Sequence, residues 1–234
     1  MKKLLVVLGI LAVAVGGLVA YASTTPSEYK VQRSVRVEAP APAVFAQVND
    51  LHNFQAWSPW EKRDPQMKKT FSGPARGVGS VYAWEGNKEV GQGRMTIVES
   101  NDLPPWLVKL RLEFIKPFAA VASTRFDLVP EGDGRATNVT WSMEGTNNLV
   151  GKVFCIFKPI DKAVGGDFEA GLASLKTVSE EAAKKQVQVE AELQKKAQAE
   201  AAAREAARAA TEAAVARASA GTHAGRGNGK KARR

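Results

Sequence analysis

The chain has 234 residues, which is enough for one globular domain with extensions at its ends. A single cysteine, Cys155, excludes an intramolecular disulfide and a cysteine-based zinc site, and two histidines exclude a histidine-rich metal site. The net charge of +9 comes mainly from Lys2, Lys3 and five Lys or Arg among the last fourteen residues. We therefore predict no nucleic-acid-binding face, no metal and no cofactor.

An uncharged apolar run occupies residues 4–22, directly after two lysines. As a helix this run spans about 28 Å, close to the ~30 Å hydrocarbon core of a bilayer. It ends in Ala-Tyr-Ala, which matches the A-x-A pattern of a signal-peptide cleavage site. We interpret residues 1–25 as a single-pass membrane anchor, or alternatively as a signal removed near Ala22. Both interpretations place the rest of the chain on the exported side, because the lysines stay in the cytoplasm.

Seven segments alternate polar and apolar residues in the way that is typical of strands. Turn residues separate them, and a short helical pattern at residues 43–48 follows the first segment. Short connections between consecutive strands favour an antiparallel sheet. The predicted strands are residues 29–37, 66–71, 79–85, 89–99, 106–115, 119–130 and 135–144.

Alternate positions on the central strands are apolar or aromatic, as in Leu110, Leu112 and Phe114. The positions between them carry charges, so we predict one buried face and one face in water. By this alternation most of the charged residues point outward, where cross-strand pairs contribute little. The charged positions in question are Glu85, Arg94, Glu113, Arg125 and Glu144.

The segment after Thr146 is expected to cover the apolar face. It begins with the apolar residues 149–157, breaks at Pro159, and resumes as a helix from Asp161. Apolar residues of that helix follow a single helical stripe, and glycines between them would let the helix lie close to the sheet. The stripe consists of Val164, Phe168, Leu172, Leu175 and Val178, and the glycines are Gly165, Gly166 and Gly171.

The remainder is Ala-rich, with Glu and Lys or Arg residues four apart, and lacks a stripe of large apolar residues. We predict a solvated helix over residues 181–220 that ends at Gly221. Residues 221–234 are predicted to be a disordered basic tail. That tail could contact an anionic surface such as phospholipid, or it could be a passive solubilising end.

Several short motifs lie in order along residues 26–180: Pro26-Ser27-Glu28-Tyr29, Ala39-Pro40, Val44-Phe45, Asn49-Asp50, Trp57-Ser58-Pro59-Trp60, Gly73-Pro74, Gly91-x-Gly93-x-Met95-x-Ile97, Val139-x-Trp141 and Asp167-Phe168-Glu169-x-Gly171-Leu172. Their order and spacing resemble the START/Bet v1-like helix-grip superfamily, and in particular its bacterial SRPBCC members with an N-terminal membrane segment. The resemblance implies an α+β fold in which a curved seven-stranded antiparallel sheet surrounds a long C-terminal helix, with an apolar cavity between them.

The superfamily includes polyketide cyclases, dehydrases and lipid-transport proteins, so the fold alone does not specify the ligand. We expect residues 26–180 to bind an apolar small molecule or lipid without transforming it, because no convincing catalytic set is present. The side chains expected to line the cavity are Trp57, Trp60, Tyr82, Trp84, Met95, Ile97, Leu112, Phe114, Phe126, Trp141, Met143, Phe168 and Leu172.

Two alternatives remain open. The first is a cyclase or dehydratase that uses His52 or Glu113 as its acid or base, and the second is a structural envelope protein with a filled core. A carrier predicts an apolar cavity of at least ~300 Å³ without converging ionisable groups. The two tryptophans Trp57 and Trp60 could plug the open end of the domain, gate the cavity, or do both.

Overall fold

The computed structural model describes residues 2–224, and the C-terminal residues 225–234 of the predicted basic tail lie outside the described residues. The helices are α1 (Lys2–Thr24), α2 (Ala41–Val48), α3 (Phe54–Trp57), α4 (Leu149–Phe157) and α5 (Ile160–Ala224), and a 3-10 turn covers Pro59–Lys62. The strands are β1 (Glu28–Val37), β2 (Lys68–Ser72), β3 (Val81–Glu85), β4 (Gln92–Asn101), β5 (Trp106–Lys116), β6 (Ala120–Glu131) and β7 (Ala136–Thr146).

The seven strands form one antiparallel sheet in the order β1-β7-β6-β5-β4-β3-β2. Consecutive strands from β2 to β7 are neighbours, as short connections predict, and β1 pairs along its whole length with β7. The register is irregular within β4, between Gln92 and Gly93 and again between Ile97 and Glu99. Such irregularities bend strands, which suits a curved sheet. The predicted α+β helix-grip fold is confirmed.

The core lies between the concave face of the sheet and the helices. Phe168, Leu172 and Leu175 of α5 are buried, as are Val44 and Val48 of α2. The outward face of the sheet carries ion pairs, including Arg94 with Glu113 and Lys30 with Glu144. One apolar face and one charged face therefore agree with the alternation in the sequence.

Helix α4 corrects one expectation, because it does not cover the apolar face of the sheet. None of its nine residues is fully buried, and it packs against α1 instead. Lys158 leaves the helical conformation directly before Pro159, as residues that precede proline tend to do. Because the helix is interrupted here, α4 and α5 need not share one axis. The apolar face of the sheet is covered by α5 together with α2 and α3.

Among the described residues, one helix, Lys3–Thr24, is long and apolar enough to cross a membrane, although a signal sequence passes the same test. Almost all of its side chains are exposed, whereas Ala22 in its last turn is fully buried. The Lys152 ammonium of α4 donates to the Thr25 carbonyl at 2.6 Å. The end of α1 is thus fixed to the folded domain.

The chain divides into two compact units, Met1–Ala183 and Lys184–Arg234. Within the second unit every described side chain from residue 184 to 215 is exposed. The helix was predicted to end after residue 220, at Gly221, but it continues for four more residues, to Ala224. One glycine costs a helix only about 1 kcal/mol relative to alanine, so it does not terminate one by itself.

Candidate functional site

A cavity of about 150 Å³ lies between the concave face of the sheet and the helices that cover it. Its volume is half the ~300 Å³ predicted as the minimum for a carrier, and an apolar cavity of roughly this size accommodates a molecule such as benzene. The lining residues are Val48, Leu51, Phe54, Trp57, Ser58, Trp60, Met67, Tyr82, Trp84, Val90, Met95, Leu110, Leu112, Phe114, Thr124, Phe126, Trp141, Met143, Val164 and Phe168.

Eleven of the thirteen side chains proposed from the sequence lie in this wall: Trp57, Trp60, Tyr82, Trp84, Met95, Leu112, Phe114, Phe126, Trp141, Met143 and Phe168. Ile97 and Leu172 do not line the cavity and are buried elsewhere in the core. Alternation along a strand or helix identifies the inward face, but it does not say which part of that face is in contact with a neighbouring side chain and which part is left open.

Aromatic rings surround Trp141 on β7. Phe168 of α5 stacks on its indole with ring centroids 4.0 Å apart and an interplanar angle of 7°. Trp57 and Trp60 approach the same indole edge-on, at 5.7 and 5.9 Å. Such stacked and edge-on pairs are favourable geometries for aromatic groups. Both tryptophans of the motif therefore belong to one cluster with the sheet, and Trp57 is buried while Trp60 is half-buried.

Two glycines make this packing possible. A Cβ on Gly93 would lie 2.5 Å from the Trp84 ring, so the glycine gives that indole room across β4. A Cβ on Gly171 would lie 2.8 Å from the Trp141 ring and 3.2 Å from Pro59. Gly171 therefore lets α5 approach the aromatic cluster, which is the close approach that the sequence predicted for this helix.

The polar groups of the wall are mostly satisfied within the protein. The Trp141 indole donates to the Thr124 hydroxyl at 2.8 Å, and that hydroxyl donates to the Ser142 carbonyl at 2.9 Å. The Trp84 indole donates to the Val90 carbonyl at 3.1 Å. Within the described chain, the buried Ser58 hydroxyl has no hydrogen-bond partner. The surface presented to the cavity is therefore almost entirely apolar.

Tyr82 is the one lining residue, among those described, whose side chain could lose a proton. Its hydroxyl donates to a Glu61 carboxylate oxygen at 2.9 Å, and Glu61 also pairs with Lys69. Burial, reinforced by the hydrogen bond to Glu61, raises the pKa of Tyr82 well above its ordinary value of 10.0. The phenol is thus neutral across the physiological range, and it is already committed to a neighbouring carboxylate.

The residues considered for an enzymatic alternative lie outside the cavity wall. His52 stacks on Phe71 with centroids 4.1 Å apart and is hydrogen-bonded to Asp50 at 2.9 Å. Glu113 accepts from Arg94 at 2.7 Å and pairs with Arg111, and the Arg94 hydrogen bond lowers the pKa of its carboxyl. Neither residue is among those lining the cavity, so neither is placed to exchange a proton with a molecule inside it.

Nine lining residues were absent from the sequence-based set: Val48, Leu51, Phe54, Ser58, Met67, Val90, Leu110, Thr124 and Val164. Leu110 belongs to the predicted inward alternation of β5, and Val164 to the predicted stripe of α5. Thr124 is two residues before Phe126 and so shares its face of β6, and Val48 lies in the short helical pattern of residues 43–48. Leu51, Met67 and Val90 lie in irregular segments. Met67 and Val90 fell inside the predicted strands 66–71 and 89–99, but the strands begin later, at Lys68 and Gln92. Outside a regular element a residue has no alternation that would assign it to the cavity, and the same holds for Leu51.

Comparison with known proteins agrees with this architecture. The family described as polyketide cyclase / dehydrase and lipid transport matches residues 28–180. A point mutant of norcoclaurine synthase from Thalictrum flavum, in complex with a transition state analogue, is 13% identical, with 68% of this chain and 98% of that chain covered and a TM-score of 0.51. A hypothetical protein from Helicobacter pylori is 12% identical, with coverages of 64% and 88% and a TM-score of 0.50. At these identities the structures share the fold alone, and no curated protein matches the chain.

Proposed function

Since the chain belongs to the polyketide cyclase / dehydrase and lipid transport family, we propose that residues 26–180 bind a small apolar molecule in the cavity without transforming it. The observation that carries this proposal is the composition of the wall. Aromatic and aliphatic side chains from the sheet, α3 and α5 line it, and the polar atoms of Tyr82, Trp84, Thr124 and Trp141 are hydrogen-bonded internally.

An apolar wall favours binding over catalysis for a physical reason. Acid–base catalysis requires a group that takes up or releases a proton near the working pH and lies within hydrogen-bond reach of the reacting atom. Among the described residues that line the cavity there is no carboxylate, imidazole or amine. The hydrophobic effect would drive association instead, because a bound apolar molecule leaves water for this wall.

The size of the cavity restricts the ligand. About 150 Å³ suits a molecule of one aromatic ring, or a terminal part of a lipid, in the described conformation. Some lining residues are only half-buried, for example Trp60, Trp84 and Val164. A larger ligand would have to displace side chains of this kind.

We propose further that α1 is an uncleaved anchor and that the domain lies on the exported side. In support, α1 continues two residues past Ala22 as a helix and buries that residue. Lys152 fixes the carbonyl of Thr25 just beyond the helix. The two lysines before the apolar run favour a cytoplasmic N-terminus. Protein from the native host is expected to begin at Met1 and to stay in the membrane after washing at high salt, whereas soluble protein beginning at Ser23 would establish cleavage.

Native mass spectrometry of the detergent-extracted full chain tests the binding proposal. We expect a co-purifying apolar molecule at up to one equivalent, and saturable binding of a probe such as toluene. Leu112→Trp places extra volume in the cavity and should abolish both. Arg111→Trp makes the same addition one residue away on the outward face, where the side chain is exposed, and should bind as the wild type does.

The outcomes separate the candidate functions. Equal binding by both variants would overturn the assignment of the cavity, and absence of any ligand or probe binding would favour a structural protein with a filled core. If the bound molecule were recovered chemically changed at many equivalents per protein, the cyclase or dehydratase alternative would be correct.

A further inference from the structure

Helix α4 presents an apolar stripe to the solvent. Val150, Phe154 and Phe157 are spaced four and three residues apart, and their exposed fractions are 69%, 58% and 74%. Val153 and Ile156 on its other sides are half-buried, and Leu149 at its start is 45% exposed. A helix normally turns its apolar stripe inward. Exposed aromatic residues aligned on one face indicate a surface that is covered by something outside the domain.

The strand register places a second apolar element at the same end of the sheet. Glu28 at the start of β1 pairs with Thr146 at the end of β7, and Ala122 of β6 pairs with Gly145. The β5–β6 loop therefore lies at the end of the sheet where α1 enters and α4 leaves. Phe118 in that loop is 74% exposed. We call Phe118, Val150, Phe154 and Phe157 the apolar end.

The position of α1 indicates what covers this end. Three residues separate α1 from β1, and the last turn of α1 packs against α4, where Ala22 is buried. A chain that leaves a bilayer at Thr24 cannot carry its next elements far away, because three extended residues span only about 10 Å. The apolar end is thus held near the membrane surface whenever α1 spans the membrane.

The charges of this region suit an anionic lipid surface. Residues 147–160 contain Lys152 and Lys158 and no acidic residue, and Lys116 precedes the β5–β6 loop. These lysines outnumber the exposed carboxylate of Glu28, which the register places at the same end. Lys116 and Lys158 are exposed. Asp161, the first acid after α4, is engaged by Arg33 at 2.8 Å. Helices with an apolar face and flanking lysines associate with the interface of anionic bilayers.

We infer that the apolar end docks on the surface of the bilayer that α1 spans, with Phe118 and the exposed stripe of α4 inserted among the lipids. This inference rests on the proposed anchoring by α1 and adds a defined orientation of the domain. Phe114, which lines the cavity, pairs with Ala120 beside the β5–β6 loop, so one part of the cavity wall lies at the docked end. A docked domain would exchange an apolar ligand with the membrane at this end.

Depth-dependent fluorescence quenching tests the orientation on the full chain. In a Cys155→Ser background, an environment-sensitive fluorophore is attached at Val150→Cys or Phe118→Cys. The matched control is Asp133→Cys, in the exposed β6–β7 turn at the opposite end of the sheet. The protein, with its intact N-terminus verified by mass, is reconstituted at low density into vesicles of phosphatidylcholine and phosphatidylglycerol whose acyl chains carry nitroxides.

We expect a blue-shifted emission and severalfold stronger quenching at positions 118 and 150 than at position 133. Phe154→Ser combined with Phe157→Ser should lower the quenching at 118 towards that of the control. Water-like emission at both test positions would overturn the inference. A blue shift that is not accompanied by quenching by the nitroxides, and that increases with the density of protein in the vesicles, would also overturn it. That result would indicate contact between two copies of the chain.

Two measurements on the same vesicles keep this inference separate from the proposed function. Resistance to alkaline extraction reports anchoring by α1, and toluene binding reports the cavity. If the protein stays in the membrane at alkaline pH and binds toluene, but its labels are not quenched, only the docked orientation is refuted. Protein that is extracted by alkali refutes the anchor, whatever the labels show.

Discussion

Helix α4 and the first turns of α5 are neighbours in the chain and have the same kind of apolar spacing, but opposite surroundings. In α5, Phe168, Leu172 and Leu175 are buried beneath the sheet. In α4, Val150 and Phe154 recur at a comparable interval and are exposed. The comparison shows that periodicity identifies an apolar stripe but not the surface that covers it. A stripe covered by the sheet contributes to the stability of the domain, whereas an exposed one is available to a partner.

The largest difference in unfolding free energy is expected between two variants, each with one residue of a stripe truncated to alanine. Leu172→Ala leaves unfilled space under the sheet and is expected to destabilise the domain by about 2–5 kcal/mol. Phe154→Ala removes an exposed side chain and should change stability by no more than about 0.5 kcal/mol. Chemical denaturation of the detergent-solubilised chain measures both. Comparable losses would show that α4 is packed on the domain as firmly as α5.

The close approach of α5 to the sheet can be tested at two glycines of the same helix. Gly171→Ala places a Cβ 2.8 Å from the Trp141 ring, which is itself stacked on Phe168 and cannot easily move. We expect a loss of about 1–3 kcal/mol from overpacking. Gly166→Ala meets no atom within 4 Å and should instead stabilise the helix by up to about 1 kcal/mol. A neutral or stabilising effect at position 171 would contradict the tight packing described for the aromatic cluster.

An ion-pair cluster fixes the first turn of α5 to β1. Arg33 donates to Asp161 at 2.8 Å and to Glu169 at 2.7 Å, and the hydrogen bond from Arg33 lowers the pKa of Asp161 below its ordinary value of 3.8. A lowered carboxyl pKa stabilises the folded state above pH 3.8, and this contribution disappears as the pH falls through the folded-state pKa. The melting temperature of Asp161→Asn should therefore be slightly below that of the wild type at pH 7, with the difference vanishing in acid. A difference that does not depend on pH would exclude this electrostatic origin.

Deleting residues 185–234 should have the smallest effect on the domain. Ser179 and Leu175 are buried, whereas every described side chain from 184 to 215 is exposed, so the deletion removes no core contact. We expect an unchanged melting temperature. A large decrease would mean that the Ala-rich helix stabilises the domain. Binding of the shortened chain to anionic vesicles, compared with that of the full chain, tests whether the basic tail contacts an anionic surface.

Regular segments of the chain were predictable because hydrogen bonding imposes a period on them. Alternation along β3 to β7 placed Tyr82, Met95, Leu112, Phe126 and Trp141 on the inward face, and the stripe of α5 placed Phe168 there. Each boundary differed by a few residues at most, as in β4, which was expected at 89–99 and occupies Gln92–Asn101. Strand ends depend on register and turns, which alternation does not encode.

The parts that sequence did not predict depend on contacts between distant segments. The cavity is smaller than expected, and its wall includes Leu51, Phe54 and Met67, which come from irregular or very short elements. The direction of α4 was missed because an exposed and a covered stripe have the same pattern. Ile97 and Leu172 were assigned to the cavity wall because they lie on the inward faces of β4 and α5. They are buried on those faces at positions that do not border the cavity.

The positions of the tryptophans make the intrinsic fluorescence of the domain sensitive to its cavity. Four of the five, Trp57, Trp60, Trp84 and Trp141, line the cavity, and the fifth, Trp106, packs edge-on against Phe45 at 5.3 Å. The intrinsic emission of the chain therefore originates mainly from the walls of one small space. A molecule entering that space would change the polarity around most of the emitting indoles at once, and an absorbing ligand would accept their excitation energy. Binding of a ligand in the cavity can thus be tested on the purified chain without a label.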